Sequence, residues 1–214
     1  MTRNRKPFLI GLLGAAAVGL STLTAMNTAA PTAQAAATPG QPAPAFSVQD
    51  TTGKTRTLAE FAGKYVVLEW INHQCPFVKK HYNSDNMQKT QRAARTQGAV
   101  WLSVNSSAAG KQGHTNAEQA DNLTLEKKAE PSAVLLDTDG TMGRAYGAKT
   151  TPHMFIIDPK GNVIYNGAID DKASADASDV AGARNHVLAA LEQVKKGEAV
   201  TVAASQPYGC SVKY

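Results

Sequence analysis

Cys75 is followed directly by Pro76 and preceded over residues 65–72 by YVVLEWIN. That order places a thiol where a buried strand gives way to a helix. Proline has no N–H to give to a ladder but suits the first helical position, so Cys75 falls at the N-cap of the helix that Pro76 and Phe77 begin. The unpaired backbone N–H groups there, and the positive end of the helix dipole, favour the thiolate, which is the nucleophilic form of cysteine. His73, two residues upstream, and Lys79 and Lys80 in the first turn are expected to add positive charge near the sulfur. Cys75 is therefore expected to be more acidic than an ordinary thiol; the plainer role is that of a buried small hydrophobe or half of an inert disulfide. The one other cysteine, Cys210, sits in the short turn-like peptide PYGCS near the C-terminus. Two cysteines are too few for a disulfide-dense scaffold or a cysteine-only zinc site, so one pair or two separate thiols remain. A permanent bond between them would close a loop of 135 residues and add about 4–5 kcal/mol on the chain-entropy model. A structural bond and a redox pair both fit.

The elements that must position these residues follow from pattern. Residues 65–72 read without strict alternation, as suits a strand covered on both faces. The helix opened by Pro76 is expected to run to about Thr96. Ala99 to Asn105 (AVWLSVN) is a second buried strand, Ser106 to Asn116 a mobile loop, Ala117 to Lys128 a helix, and Ala133 to Asp137 a third strand. Asp139-Gly140 opens a short helix that stops at Tyr146-Gly147. His153 to Ile157 and Asn162 to Asn166 flank Asp158-Pro159-Lys160-Gly161, a hairpin signal. Asp170 to Ala183 is expected as a loop with a solvated Asp170-Asp171 pair. Asn185 to Lys196 is a helix by its apolar spacing, with His186 on its surface, and His114 lies in the flexible loop. Strand and helix alternate and then yield to a hairpin, so the fold class is α/β, a mixed sheet with helices on both faces.

The chain has 214 residues, 43% hydrophobic and 18% charged, enough for one compact domain with its own core. Its N-terminus carries Arg3, Arg5 and Lys6, an apolar run from Pro7 to about Leu23, and Ala33-Gln34-Ala35, the form of a cleavable secretory signal over residues 1–35. The apolar core, Phe8 to Leu20, is shorter than the ~20 residues of a membrane span; only a retained signal would tether the domain. Residues 36–45 form a linker or irregular lead-in, and the domain is expected over 46–214. Export to a periplasmic or extracellular space permits disulfide chemistry. Removing the signal drops the formal charge from +5 to +2, and no basic stripe interleaved with aromatics remains, so nucleic acid is not an expected partner. A Gly-x-Ser-x-Gly elbow and a phosphate loop are both missing.

The strand–Cys–Pro–helix unit, Thr150-Thr151-Pro152 ahead of a strand, and the FIIDPKGNVIYNG hairpin together resemble the thioredoxin fold, roughly from Phe46 to Lys196. The lead-in GQPAPAF and the segment GKYVVLEW are similar to those of exported thioredoxin-like oxidoreductases and of the redoxin, or alkyl hydroperoxide reductase/thiol-specific antioxidant, group. The resemblance implies a three-layer sandwich. It also implies a cis Pro152 beside the active thiol, and Thr151, with Pro76 and Phe77, as substrate-binding residues. Glu69, six residues before Cys75, matches the buried acid that assists proton transfer in thioredoxins. The chain departs from both parents. Val78 stands where thioredoxins carry a second cysteine, Asn72 where peroxiredoxins carry threonine, and no arginine occupies the strand around His153. Within the resemblance Cys210 is the candidate to resolve an oxidised Cys75, with an external thiol as reductant, a disulfide protein or peroxide as substrate, and no cofactor. The competing class is a Cu or Zn carrier in which His73, His81 and His153 converge on the sulfur.

Overall fold

The computed structural model describes residues 1–2 and 36–214; the signal expected over residues 1–35 falls, but for its first two residues, outside the described residues. A small hairpin comes first: β1 (Ser47–Gln49) pairs antiparallel with β2 (Thr55–Thr57) around the turn Thr51–Lys54, and a 3-10 turn, Leu58–Phe61, follows. β3 (Val66–Trp70) is buried throughout. Two helices succeed it, α1 (Pro76–Asn83) and α2 (Asn86–Thr96). The single helix expected to Thr96 is broken because Asp85 takes a left-handed conformation, φ 59°. Asn83-Ser84-Asp85-Asn86 is a run of residues whose short polar side chains favour turns over helix interiors.

The order continues with β4 (Val100–Asn105), α3 (Ala117–Glu126), β5 (Ala133–Leu136) and α4 (Thr141–Tyr146). Then come β6 (Thr150–Thr151), β7 (His153–Ile157), β8 (Val163–Gly167), α5 (His186–Lys195) and β9 (Cys210–Ser211). The main sheet has the order β5-β4-β3-β7-β8. β3 is parallel to β4 and antiparallel to β7, with Val66 opposite Val100 and Ile157. The mixed sheet expected from the strand, helix and hairpin succession is thus present.

Period-two alternation divides the sheet's side chains between two cores. Val66, Leu68, Trp70, Leu102, Val104 and Phe155 meet Met142 and Tyr146 of α4 and Phe46 and Phe61 of the N-terminal hairpin region on one face. Val67, Trp101, Met154 and Ile156 meet Val78 and Tyr82 of α1, Met87 and Ala94 of α2 and Val187 and Leu191 of α5 on the other, which also holds Cys75. Three layers result. Residues 36–45 carry no regular strand or helix but are held: Ala37 is buried in the first core, and Pro44 O accepts the Tyr146 hydroxyl at 2.7 Å. The segment Ser106–Asn116, expected as mobile, is tied down by Asn105 Nδ2, which donates to Gly113 O and to Thr115 Oγ1, both at 2.9 Å. Among the described residues no helix is long and apolar enough to cross a membrane.

Candidate functional site

Beyond β3 the chain makes a tight approach to Cys75. Asn72 Oδ1 accepts the Gln74 N–H at 2.9 Å, its Nδ2 donates to Gln112 O at 3.3 Å, and its backbone O accepts the Cys75 N–H at 2.9 Å. Asn72 is thus a strand-end organiser. Gly113, at φ 85°, leaves no room for a side chain, since a Cβ there would lie 2.3 Å from the Asn72 side chain. Cys75 is the N-cap of α1 with extended backbone, and Pro76 takes the first helical position. The sulfur is fully buried.

The cover over that sulfur is the chain's own C-terminal tail. β9 pairs antiparallel with β6, setting Cys210 opposite Thr151 and Ser211 opposite Thr150, immediately before the cis Thr151–Pro152 bond. The Cys75 thiol donates to Thr151 O at 3.1 Å, and its sulfur accepts the Cys210 backbone N–H at 3.4 Å. Both cysteines are free thiols. Further along, Val212 N–H bonds Lys149 O at 3.0 Å, Ala108 N–H bonds Lys213 O at 2.8 Å, and the Tyr214 hydroxyl donates to Ala148 O at 2.8 Å. The tail beyond Cys210 is thus docked against the segments Ala108 and Ala148–Lys149.

Burial opposes ionisation of Cys75, but the Cys210 thiol and the backbone N–H groups of Val78 and Cys210 outweigh it and bring the Cys75 thiol below its ordinary value. Cys210 goes the other way, pushed up to about 11 by burial and by the neighbouring sulfur. The two lysines expected to assist do not. Lys80 is buried with its Nζ donating to Lys172 O at 2.8 Å and paired with Asp170 Oδ2 at 3.8 Å, and Lys79 is exposed. His73 brings no charge either, because burial lowers it to about 4 and leaves it neutral at pH 7.

Glu69 is fully buried on the same face of β3 as Val67, inside a closed nest of donors. Its Oε2 accepts from Trp101 Nε1 at 2.8 Å, Ser103 Oγ at 3.0 Å and Gln91 Nε2 at 3.3 Å, and its Oε1 accepts the Tyr82 hydroxyl at 2.8 Å. Burial raises its carboxyl above the ordinary range and those four donors pull it back in part. All its hydrogen bonds thus go to this nest rather than to Cys75. Tyr82 in turn meets the His73 ring edge-on, centroids 5.0 Å apart.

The three histidines expected to converge on the sulfur are spent elsewhere. His153 falls on the opposite face of the sheet from Cys75, stacked on Phe155 at 4.5 Å, with Nε2 bonded to Asn166 Oδ1 at 2.8 Å. His81 faces Asn86 and Tyr208. Among the described residues no group of three His, Cys, Asp or Glu is placed to hold a metal ion. Asp170, expected as a solvated charge, is 2% exposed and receives the Tyr208 hydroxyl, the Lys172 N–H at 3.0 Å, and Lys80 Nζ at 3.8 Å. Asp171 remains on the surface. His114 and His186, expected on the surface, are both half-buried. Tyr208 and Asp170, which frame the tail beside the thiols, are the site residues that sequence reasoning missed. The one available signal was an aromatic residue two positions before the cysteine of the tail.

The AhpC/TSA family matches residues 39–166. The thiol-disulfide oxidoreductase ResA of Bacillus subtilis (strain 168) is 28% identical over 125 residues, covering 58% of this chain and 64% of that protein, so the match spans under two thirds of its length. A hypothetical protein of Sinorhizobium meliloti 1021, known as a crystal structure, is similar with a TM-score of 0.68 and 26% identity over 83% of this chain and 94% of that one. Peroxidoxin BcpB from Mycobacterium tuberculosis shares the fold at a TM-score of 0.52 and 18% identity, covering 73% of this chain and 97% of its own.

Proposed function

The chain belongs to the AhpC/TSA family, and from that premise we propose that it is an exported thiol-dependent oxidoreductase in which Cys75 is the nucleophile and Cys210 the resolving thiol. The observation that carries the reading is the pairing of β6 with β9, which sets Cys210 opposite Thr151 while Thr151 O receives the Cys75 thiol. The signal-like residues 1–35 support export.

The Cys75 thiolate attacks one sulfur of a substrate disulfide, forming a mixed disulfide and releasing one thiolate. Cys210 then loses its proton and attacks Cys75 Sγ, releasing the second substrate thiolate and leaving a Cys75–Cys210 bond. Two electrons pass from the two thiols to the substrate. With a peroxide the first product is Cys75 sulfenic acid plus an alcohol or water, and attack by Cys210 expels water. In either case an external dithiol restores the pair. Thr151, Pro76 and Phe77 border the sulfur and would meet the substrate. Glu69 holds the floor of the site through Tyr82 and Trp101, a supporting role. A Cu or Zn carrier is the poorer reading, since the imidazoles are committed to Tyr208, Asn86, Asn166 and the Tyr82 ring.

The test is a thiol count by mass on the protein purified without its first 35 residues, before and after one equivalent of a small disulfide or of hydrogen peroxide, with a peptide map. The expected result is loss of two hydrogens in the wild type and a Cys75–Cys210 peptide, none of it in Cys75→Ser, and a trapped adduct on Cys75 in Cys210→Ser. Two free thiols after oxidant in the wild type would overturn the reading.

A further inference from the structure

The tail is anchored two residues before Cys210 by a cluster that the chemistry above leaves unused. The Tyr208 hydroxyl donates to Asp170 Oδ1, and His81 Nε2 lies 3.1 Å from the same hydroxyl. Asn86 Nδ2 meets His81 Nδ1 at 2.8 Å. Asn86 therefore donates to His81, the His81 Nε2–H to Tyr208, and Tyr208 to Asp170, so each donor is spent on the next acceptor. Lys80 Nζ lies 3.8 Å from Asp170 Oδ2 and 5.6 Å from the centroid of the Tyr208 ring, which also packs against the rings of Phe77 at 5.8 Å and His81 at 6.4 Å.

Asp170 Oδ2 is buried without a hydrogen-bond partner, so this carboxylate depends on Oδ1 and on Lys80 for its compensation. Taking Tyr208 away would strip a donor from a charge already out of water, and leaving a buried acceptor short is expensive. The cluster stands on α1, the helix capped by Cys75, on Asn86 at the start of α2, and on the segment after β8. It is thus tied to the nucleophile's own helix and independent of the strand pairing. Between the anchor and the thiol lies Gly209, at φ 137°, where a Cβ would sit 2.1 Å from Thr151 O. Anchor, close approach and thiol follow one another in three residues.

We propose that Tyr208, seated on Asp170 and His81, is a positioning residue that fixes Cys210 over Cys75 and so sets the rate at which an adduct on Cys75 is resolved. The inference rests on the resolving role of Cys210. A thiol held by its own chain acts at an effective concentration set by how tightly its tether is ordered, and a small misplacement of a reacting group is costly in rate. The step affected is the second one: the Cys210 thiol gives its proton to water, its sulfur attacks Cys75 Sγ in the mixed disulfide, the Cys75–substrate S–S bond breaks, and the departing thiolate carries off the electron pair.

A chromogenic aromatic disulfide, 5,5′-dithiobis(2-nitrobenzoate), reads both steps, because each releases one coloured thiolate. The wild type is expected to release two equivalents, the second in a concentration-independent phase. Tyr208→Ala is expected to slow that second phase roughly 10- to 100-fold without slowing the first, and Tyr208→Phe, which keeps the ring and loses only the hydroxyl, to fall between. Asp170→Asn, which retains an acceptor for the hydroxyl, is expected to resolve within a few-fold of wild type. Second phases in both Tyr208 variants within twofold of wild type would overturn the positioning role. A single equivalent from the wild type, or two equivalents at wild-type rates from Cys210→Ser, would instead overturn the resolving role itself. Should Tyr208→Ala fail to fold, Tyr208→Phe alone decides the first question.

Discussion

Two thiols packed together differ here by the partners each one has. Cys75 takes N–H donors from the first turn of α1 and from the tail, whereas Cys210 takes burial and a neighbouring sulfur that fills with charge first. The consequence is a division of labour: one sulfur ionises and attacks, and the other keeps its proton until an adduct has drawn the negative charge away. Cys210→Ala removes the side-chain donor to Cys75 and leaves the backbone N–H. The pH midpoint for iodoacetamide alkylation of Cys75 is then expected to move upward, the thiolate having lost a stabilising bond while the burial remains. A midpoint that stays or falls would contradict that assignment. Much at this scale was legible, since the acidity of Cys75 follows from a cysteine before a proline at a strand end. The source of that acidity was not legible, because Lys79, Lys80 and His73 looked like charge beside the sulfur. Only the fold shows Lys80 turned to Asp170 and His73 neutral against Tyr82.

The elements around the thiol show which signals a linear chain carries. The β-branched and aromatic runs that form β3, β4 and β7 are readable from composition, and so is the hairpin at Asp158–Gly161. The break between α1 and α2 is written in Asn83–Asn86 but hidden by apolar spacing that continues on either side. β9 is only two residues long and has no pattern to read; it exists because β6 offers it an edge and Gly209 allows the approach. That gives a prediction at this scale. Gly209→Ala drives a Cβ against the Thr151 carbonyl, a backbone atom that has nowhere to go. β9 is expected to lift and the alkylation of Cys75 by iodoacetamide to accelerate at least about tenfold, the buried sulfur having lost its cover. An unchanged rate would mean that the strand tolerates the intrusion and that the cover lies elsewhere.

Over the whole molecule, the buried imidazoles decide how it meets acid. His73, His81 and His153 are each brought down to about 4 by burial. An unfolded chain would bind protons on all three well before the folded one does. Their folded values lie below the unfolded value of 6.5, so the stability they confer is present above pH 6.5 and is lost as pH falls toward about 4. Glu69 and Asp137 act in the opposite sense, their carboxyls raised by burial and favouring the fold when protonated, but they are two groups against these three imidazoles and His186, which burial lowers as well. The urea midpoint is expected to be flat from pH 8 to 6.5 and to fall from there to pH 4; a midpoint that holds steady through that window would show that the imidazoles gain access to protons without unfolding.

The pairing of β6 with β9 also bears on which molecules the protein meets. An extended polypeptide seeking the edge at Thr150–Thr151 finds that seat taken by residues of the same chain. Its apparent affinity is its intrinsic affinity scaled down by the fraction of time the tail is away. A polypeptide that pairs at that edge would therefore have to displace β9 first, so the strength of the tail's own pairing would set the weakest visitor able to hold it.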